Sequence, residues 1–185
     1  MTEWAEVPAV DPALRDAVRE LEAHASQEGW DRPGQLFALV DTAELVRREP
    51  GLASVMGLAA DAEGFSAVEQ EQLPESALED SLLGIEWPDE VSGCAAVVER
   101  FVLPPSVEAQ IPSTDVEARE FAAEHPDRHE VRIVAGALRS GATYCALRLR
   151  SHDDDFSVIE GPDLVPTLLE LLLSTLSPTT DRQAP

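Results

Sequence analysis

The sequence predicts an α+β domain: a mainly antiparallel sheet of about five strands, with helices packed on it and an apolar helix at the C-terminus. Three observations carry this expectation. Segments of helical periodicity alternate with short apolar runs of strand length. The two runs that flank Arg139-Ser140-Gly141 can be registered by inspection, and they form an antiparallel hairpin. The last periodic segment, Leu164–Leu176, is apolar around most of its circumference. A chain of 185 residues fits one domain, expected over 1–176, with a disordered tail at 177–185.

The first helix starts at Asp11-Pro12, an N-cap acid followed by a proline in the first turn. Leu14, Ala17, Val18, Leu21 and Ala25 then share one face, and Gly29 ends the helix. Trp30-Asp31-Arg32-Pro33-Gly34 is a turn-rich connector. Gln35–Thr42 contains Leu-Phe-Ala-Leu-Val, a short buried strand. Helical propensity resumes over Thr42–Arg48 and stops at Pro50-Gly51, and Leu52–Ala60 reads as a further short helix. Phe65–Leu73 alternates weakly, as an edge strand blunted by its Glu and Gln residues. Pro74–Leu83 reads as a helix that closes near Gly84. Cys94–Leu103 is apolar on both faces, which suits a central strand, and Pro104-Pro105 ends it. Ser113–Glu124 is a charged helix ahead of Pro126.

The hairpin over Glu130–Ser151 is the most informative segment. A three-residue loop places Gly141 last, in the left-handed conformation. That register sets Val131, Ile133, Ala135 and Ala137 against Leu149, Leu147, Cys145 and Thr143. The opposite face sets Glu130, Arg132, Val134 and Gly136 against Arg150, Arg148, Ala146 and Tyr144. A two-residue loop would put Arg148 opposite Ile133 and mix the faces, so the hydrophobic pattern selects the longer loop. Gly161-Pro162-Asp163 introduces the last helix, with Asp163 as its cap. The wide apolar stripe of Leu164–Leu176 calls for deep burial or for a cover, and the expected cover is a protein partner or a homodimer.

Charge narrows the function. Asp and Glu number 36 against 13 basic residues, for a net charge of −23. Every basic residue is Arg; Lys and Asn are both absent. Without Lys there is no Walker-type phosphate loop and no Schiff-base chemistry. The negative surplus opposes nucleic-acid binding. Lys and Asn both use A-rich codons, so a GC-rich genome accounts for the deficit. The stretch Met1-Thr2-Glu3-Trp4-Ala5-Glu6 carries no leader signal, and Leu164–Leu176 is shorter than the roughly 20 residues of a membrane span. Cys94 and Cys145 stand alone without a C-x-x-C motif, as in a cytoplasmic protein with reduced thiols. No cofactor, nucleic acid or membrane is expected.

Four groups of residues carry the candidate chemistry. Arg128, Arg132, Arg148 and Arg150 lie on the polar hairpin face, with Tyr144 nearer the loop. Arg132 opposes Arg148, a like-charge pair that costs stability unless an anion or an acid is near. Such a stripe suits an anionic ligand or an acidic peptide. It is equally satisfied by acids from a covering helix, such as Glu117, Glu120 and Glu124. The same register sets His129 opposite Ser151 and Arg128 opposite His152. The hairpin mouth then gathers His125, His129 and His152 beside Asp153, Asp154 and Asp155, a set able to ligate a metal or to serve in hydrolysis. A solvated polar mouth with side-chain turns fits that pattern as well. Cys145 falls on the apolar face and reads as an inert thiol. Trp30 and Trp87 sit beside turns and read as packing anchors.

Several stretches look familiar together: Trp30–Arg32 with Leu36–Ala43, Glu86-Trp87-Pro88 before Gly93-Cys94-Ala95, and Arg148-Leu149-Arg150-Ser151-His152-Asp153 running on to Gly161–Pro166. The sequence resembles an uncharacterised family of conserved hypothetical proteins from actinobacteria, over nearly the whole chain and most specifically in its C-terminal third. The resemblance implies a GC-rich, cytosolic bacterial origin and carries over no catalytic residue. The leading expectation is a non-enzymatic binding or adaptor domain that acts through protein contacts. The alternatives are a metal-dependent hydrolase at the His/Asp cluster and a small-anion sensor at the Arg stripe.

Overall fold

Hydrophobic alternation and two helix stripes set the order of elements in the chain, seen in a computed structural model that describes residues 9–70 and 78–177. In sequence they are α1 (Pro12–Glu28), β1 (Gln35–Asp41), α2 (Thr42–Arg48), α3 (Pro50–Val55), β2 (Phe65–Glu69), α4 (Leu78–Leu83) and β3 (Val91–Val102). A 3-10 turn at Pro105–Gln110 precedes α5 (Asp115–Glu124), β4 (His129–Leu138) and β5 (Thr143–Leu149). Two further 3-10 turns lead to β6 (Ile159–Gly161) and α6 (Pro166–Leu176).

The strands form one sheet in the order β2-β1-β3-β4-β5-β6, with every neighbouring pair antiparallel. The expected α+β class is the observed one, with six strands where the pattern suggested about five. The additional strand, β6, has three residues, too few to show alternation. The hairpin adopts the expected register, from Ala137 opposite Thr143 to Val131 opposite Leu149. Gly141 closes its turn at φ 93, and its N–H donates to the Leu138 carbonyl at 2.9 Å.

The sheet has a core on each face. On one, Leu14, Val18 and Leu21 of α1 meet Phe37, Leu39, Val134 and Tyr144. On the other, Leu169, Leu172 and Leu176 of α6, with Leu82 of α4, meet Leu36, Val98, Ile133 and Cys145. The N-cap of α1 is as expected: Asp11 accepts from the Leu14 N–H at 3.0 Å, and Gly29 follows the last turn.

Some boundaries differ from the sequence reading. The last helix begins at Pro166, with Val165 as N-cap and no side-chain cap, so Asp163 does not cap it. The fixed φ of proline at the first helical position outweighs the capping preference of an acid three residues earlier. The helix after Pro50 ends at Val55, because the chain soon reaches Gly57 at φ 71. The edge strand stops at Glu69; its continuation over 71–73, residues 74–77 of the helix expected next, residues 1–8 and the tail from 178 lie outside the described residues.

Gly93 of β3 pairs with Leu138 of β4. A Cβ there would lie 2.3 Å from the Ala137 carbonyl oxygen, a backbone atom that cannot swing aside. Gly93→Ala is expected to lower unfolding free energy by about 1–3 kcal/mol, the usual range for overpacking. Gly141→Ala, at a positive φ, is expected to lower it by about 1–2 kcal/mol. Urea denaturation of both variants checks the pair, and an unchanged midpoint for Gly93→Ala contradicts the close approach.

Candidate functional site

The register of β4 and β5 places Arg132 directly opposite Arg148, on the face that α1 covers. Both side chains are only 2% exposed, so two guanidiniums lie side by side in the interior. Each unpaired buried ion would cost several kcal/mol, so acids have to follow them in.

Arg148 obtains three. Its Nε and Nη2 grip both oxygens of Glu22, which is itself buried on the inner face of α1 between Val18 and Ala25. Nη1 reaches Asp153 at 3.2 Å and Nη2 reaches Asp155 at 2.7 Å. The bond to Glu22 is the main cause that holds the Arg148 pKa above its ordinary value, with Asp155 and Asp153 adding to it against desolvation.

Arg132 is served differently. Its Nη2 donates to the Gly29 carbonyl at 2.6 Å and lies 4.0 Å from a Glu99 oxygen. Nη1 has no hydrogen-bond partner among the described residues. The guanidinium instead packs on the Trp30 ring, 4.3 Å from its centroid. Desolvation pushes the Arg132 pKa below its ordinary value, with Glu99 the main opposing charge.

The connector after α1 is thereby a lid. The Trp30 indole N–H donates to Asp153 at 3.0 Å, and the Asp31 N–H donates to Glu99 at 2.9 Å. Arg150 holds both Asp31 oxygens, at 2.8 and 3.0 Å, and Glu130 at 2.6 Å. That bidentate grip depresses the Asp31 pKa and accompanies a left-handed backbone at Asp31, φ 63, rare outside glycine. The pocket beside Arg132, bounded by Ala25, Gly29, Gln35 and Glu99, measures about 10 Å³, room for about one water.

The structure thus answers the stripe with internal acids, but not with those anticipated. Glu117, Glu120 and Glu124 belong to α5, which touches β3 away from these arginines. The covering helix is α1, and Glu22 is the residue the sequence reading missed. Its signal was present: Glu22 stands on the apolar face of α1, four residues after Val18 and three before Ala25. Tyr144 is buried in the core beneath α1. Arg128 leaves the stripe; it lies 5.5 Å from the Phe101 ring centroid and donates to the His125 carbonyl at 3.2 Å.

Residues 14–177 match the family described as PPA1309-like protein. The chain belongs to the PPA1309-like family. No curated protein and no solved structure matches it. In this PPA1309-like chain the motif Arg148-Leu149-Arg150-Ser151-His152-Asp153, quoted above as the most specific part of the resemblance, supplies two of the stripe arginines and one of their acids.

The three histidines are not brought together. β5 ends at Leu149 and turns away through Arg150–His152, so His129 pairs with Val102 of β3 instead of with Ser151, and Arg128 does not face His152. The reason is the pull of Asp153 and Asp155 back onto Arg148. Asp154 accepts from the Phe156 N–H and the Ser157 hydroxyl. The His125 ring packs on Phe121, and the His152 ring meets the Ser151 hydroxyl. Among the described residues no three His, Cys, Asp or Glu side chains form a group able to hold a metal ion.

Arg139, read from the sequence only as a turn residue, is a second hub. It donates to the carbonyls of Val91 and Leu176 at 2.7 Å, Trp87 at 3.1 Å and Pro88 at 3.0 Å. It joins the hairpin turn to the start of β3 and neutralises the C-terminal end of α6. Trp87 packs on that side as an anchor, its N–H on Thr175 at 2.9 Å.

Arg148→Met is expected to cost about 3–5 kcal/mol, because it leaves Glu22 buried and unpaired. Adding Glu22→Leu is expected to recover part of that loss. A double variant no more stable than Arg148→Met contradicts the pairing. Both thiols are fully buried, and burial pushes the Cys94 pKa up to about 11 and that of Cys145 above its ordinary value. At pH 8 a thiol reagent is expected to label neither until denaturant is added, and prompt labelling of the native protein contradicts that burial.

Proposed function

We propose that this chain is a cytosolic, non-enzymatic binding module of actinobacteria that works through protein–protein contacts and pairs with a second copy of itself through α6. The observation that carries this reading is the outer flank of α6. Leu169, Leu172 and Leu176 are buried, yet Val165, Leu168, Leu171 and Leu173 are only partly covered, and Leu164 is 36% exposed. Leu168 and Leu171 line a groove of about 270 Å³ together with Val98, Ile133 and Arg100.

Charge favours a second copy at this place. In a protein of net charge −23, α6 carries one charged residue, Glu170. Two copies therefore approach here with little direct repulsion. A stable dimer needs roughly 800 Å² from each partner, so the flanks of the groove take part as well. The absence of Lys and Asn supports the GC-rich origin, and the reduced, buried thiols support an intracellular setting.

Light scattering after size exclusion is expected to give twice the 20.0 kDa of one chain. Raising salt is expected to strengthen association, because it screens the distant acids. Leu168→Glu with Leu171→Glu is expected to give a monomer with an unchanged circular dichroism spectrum. A monomer at both low and high salt would remove the self-association.

A further inference from the structure

A different surface invites a different partner. β3 is longer than its neighbours: β1 begins only at Gln35 opposite Val97, so Val98–Val102 is paired on one side, by β4. α1 ends at Glu28. The overhanging end of β3 thus carries Phe101 at 43% and Val102 at 47% exposure. The nearest helix, α5, buries none of its own residues. Between them lies a groove of about 370 Å³ lined by Phe101, Leu103, Pro105, Ile111, Ala118 and Ala122. Val116, 68% exposed, adds apolar surface on α5.

We infer that this groove receives a basic amphipathic helix from another protein, its apolar face on Phe101, Ile111 and Ala118 and its Lys or Arg residues on the rim. The argument for that occupant is charge complementarity. From Pro105 to Arg128 the chain carries six acids against two arginines, and four of the acids stand on α5. Asp115, Glu117, Glu120 and Glu124 are all exposed. A second copy would set one acidic rim against another, which this surface opposes. Glu108 also lines the groove and the rest of the lining is apolar, as in helix-in-groove recognition, where affinity comes from anchors at i, i+3, i+4 and i+7. This groove lies apart from α6, so its test and the test of self-association succeed or fail separately.

The probe is a fluorescein-labelled Leu/Lys peptide of about 15 residues, long enough for about four helical turns. Its control has the same composition, shuffled so that no apolar face forms. Anisotropy titrations at about 0.1 M salt, where the Debye length is near 10 Å, suppress non-specific attraction. The amphipathic peptide is expected to bind about ten-fold tighter than the shuffled one, a difference of about 1.4 kcal/mol. Ala118→Glu and Ile111→Ser, both in the groove lining, are each expected to weaken binding about five-fold or more, an ordinary loss for an anchor contact. Val55→Ser, on the distant and exposed end of α3, is expected to leave it unchanged. Thermal melts confirm that the variants fold; where one does not, the other decides. Equal binding of the two peptides, no binding of either, or indifference to both groove variants overturns the proposal. So does light scattering in which the groove variants, and not those in α6, abolish a dimer, since the groove's occupant is then a second copy.

Discussion

Two guanidiniums facing each other across adjacent strands in the interior set the terms for much of this molecule. Nothing in a hydrophobic core stabilises such a pair, and the desolvation of each ion costs several kcal/mol. The surrounding elements are placed so as to offset it. α1 contributes a buried carboxylate, the loop after β5 doubles back with two aspartates, and the connector after α1 lays an indole over the less well-paired arginine. With β4 held in place by β3, slipping β5 by one residue would turn Arg148 to the α6 side, away from these acids, and leave Arg132 behind.

The two buried cations at Arg132 and Arg148 contrast with Arg139 at the other end of the hairpin. Among the described residues Arg139 donates to four carbonyls and to no carboxylate. One end of the hairpin is thus fixed by ion pairs and aromatic packing, the other by backbone oxygens. The first ties the hairpin to α1 and the second ties it to α6, so both covering layers are fastened to the same two strands.

Much of this fold was legible because it rests on local rules. The period of two and a single glycine were enough to register the hairpin, and Asp11, Pro12 and Gly29 were enough to bound α1. What was not legible depends on which helix lands on which face. The acids of α5 looked like the counter-ions, since α5 is more acidic and lies just ahead of β4 in sequence. The extra length of β3 carries α5 away from the arginines, and no periodicity within either segment reveals that. The same applies to the histidines. The expected meeting of His129 and His152 assumed that β5 continues past Leu149, whereas the exposed loop that follows turns so that Asp153 and Asp155 reach Arg148. β6 was too short to leave a pattern, and Asp163 looked like a cap only until Pro166 was seen to fix the start of α6.

The position of α1 has a consequence for how the chain is made. The strands are added to the sheet almost in the order in which they emerge, each beside an earlier one. α1 is the exception: it precedes every strand of the sheet in sequence, yet Glu22 finds its partner 126 residues later, on β5. Until β5 has been made, α1 is therefore an amphipathic helix whose central carboxylate lacks its final contact. A carboxylate in that stripe lowers the helix's affinity for other apolar surfaces while it waits, since burying it unpaired is costly anywhere but against Arg148. The acid that completes the folded core also protects the nascent chain from settling too early.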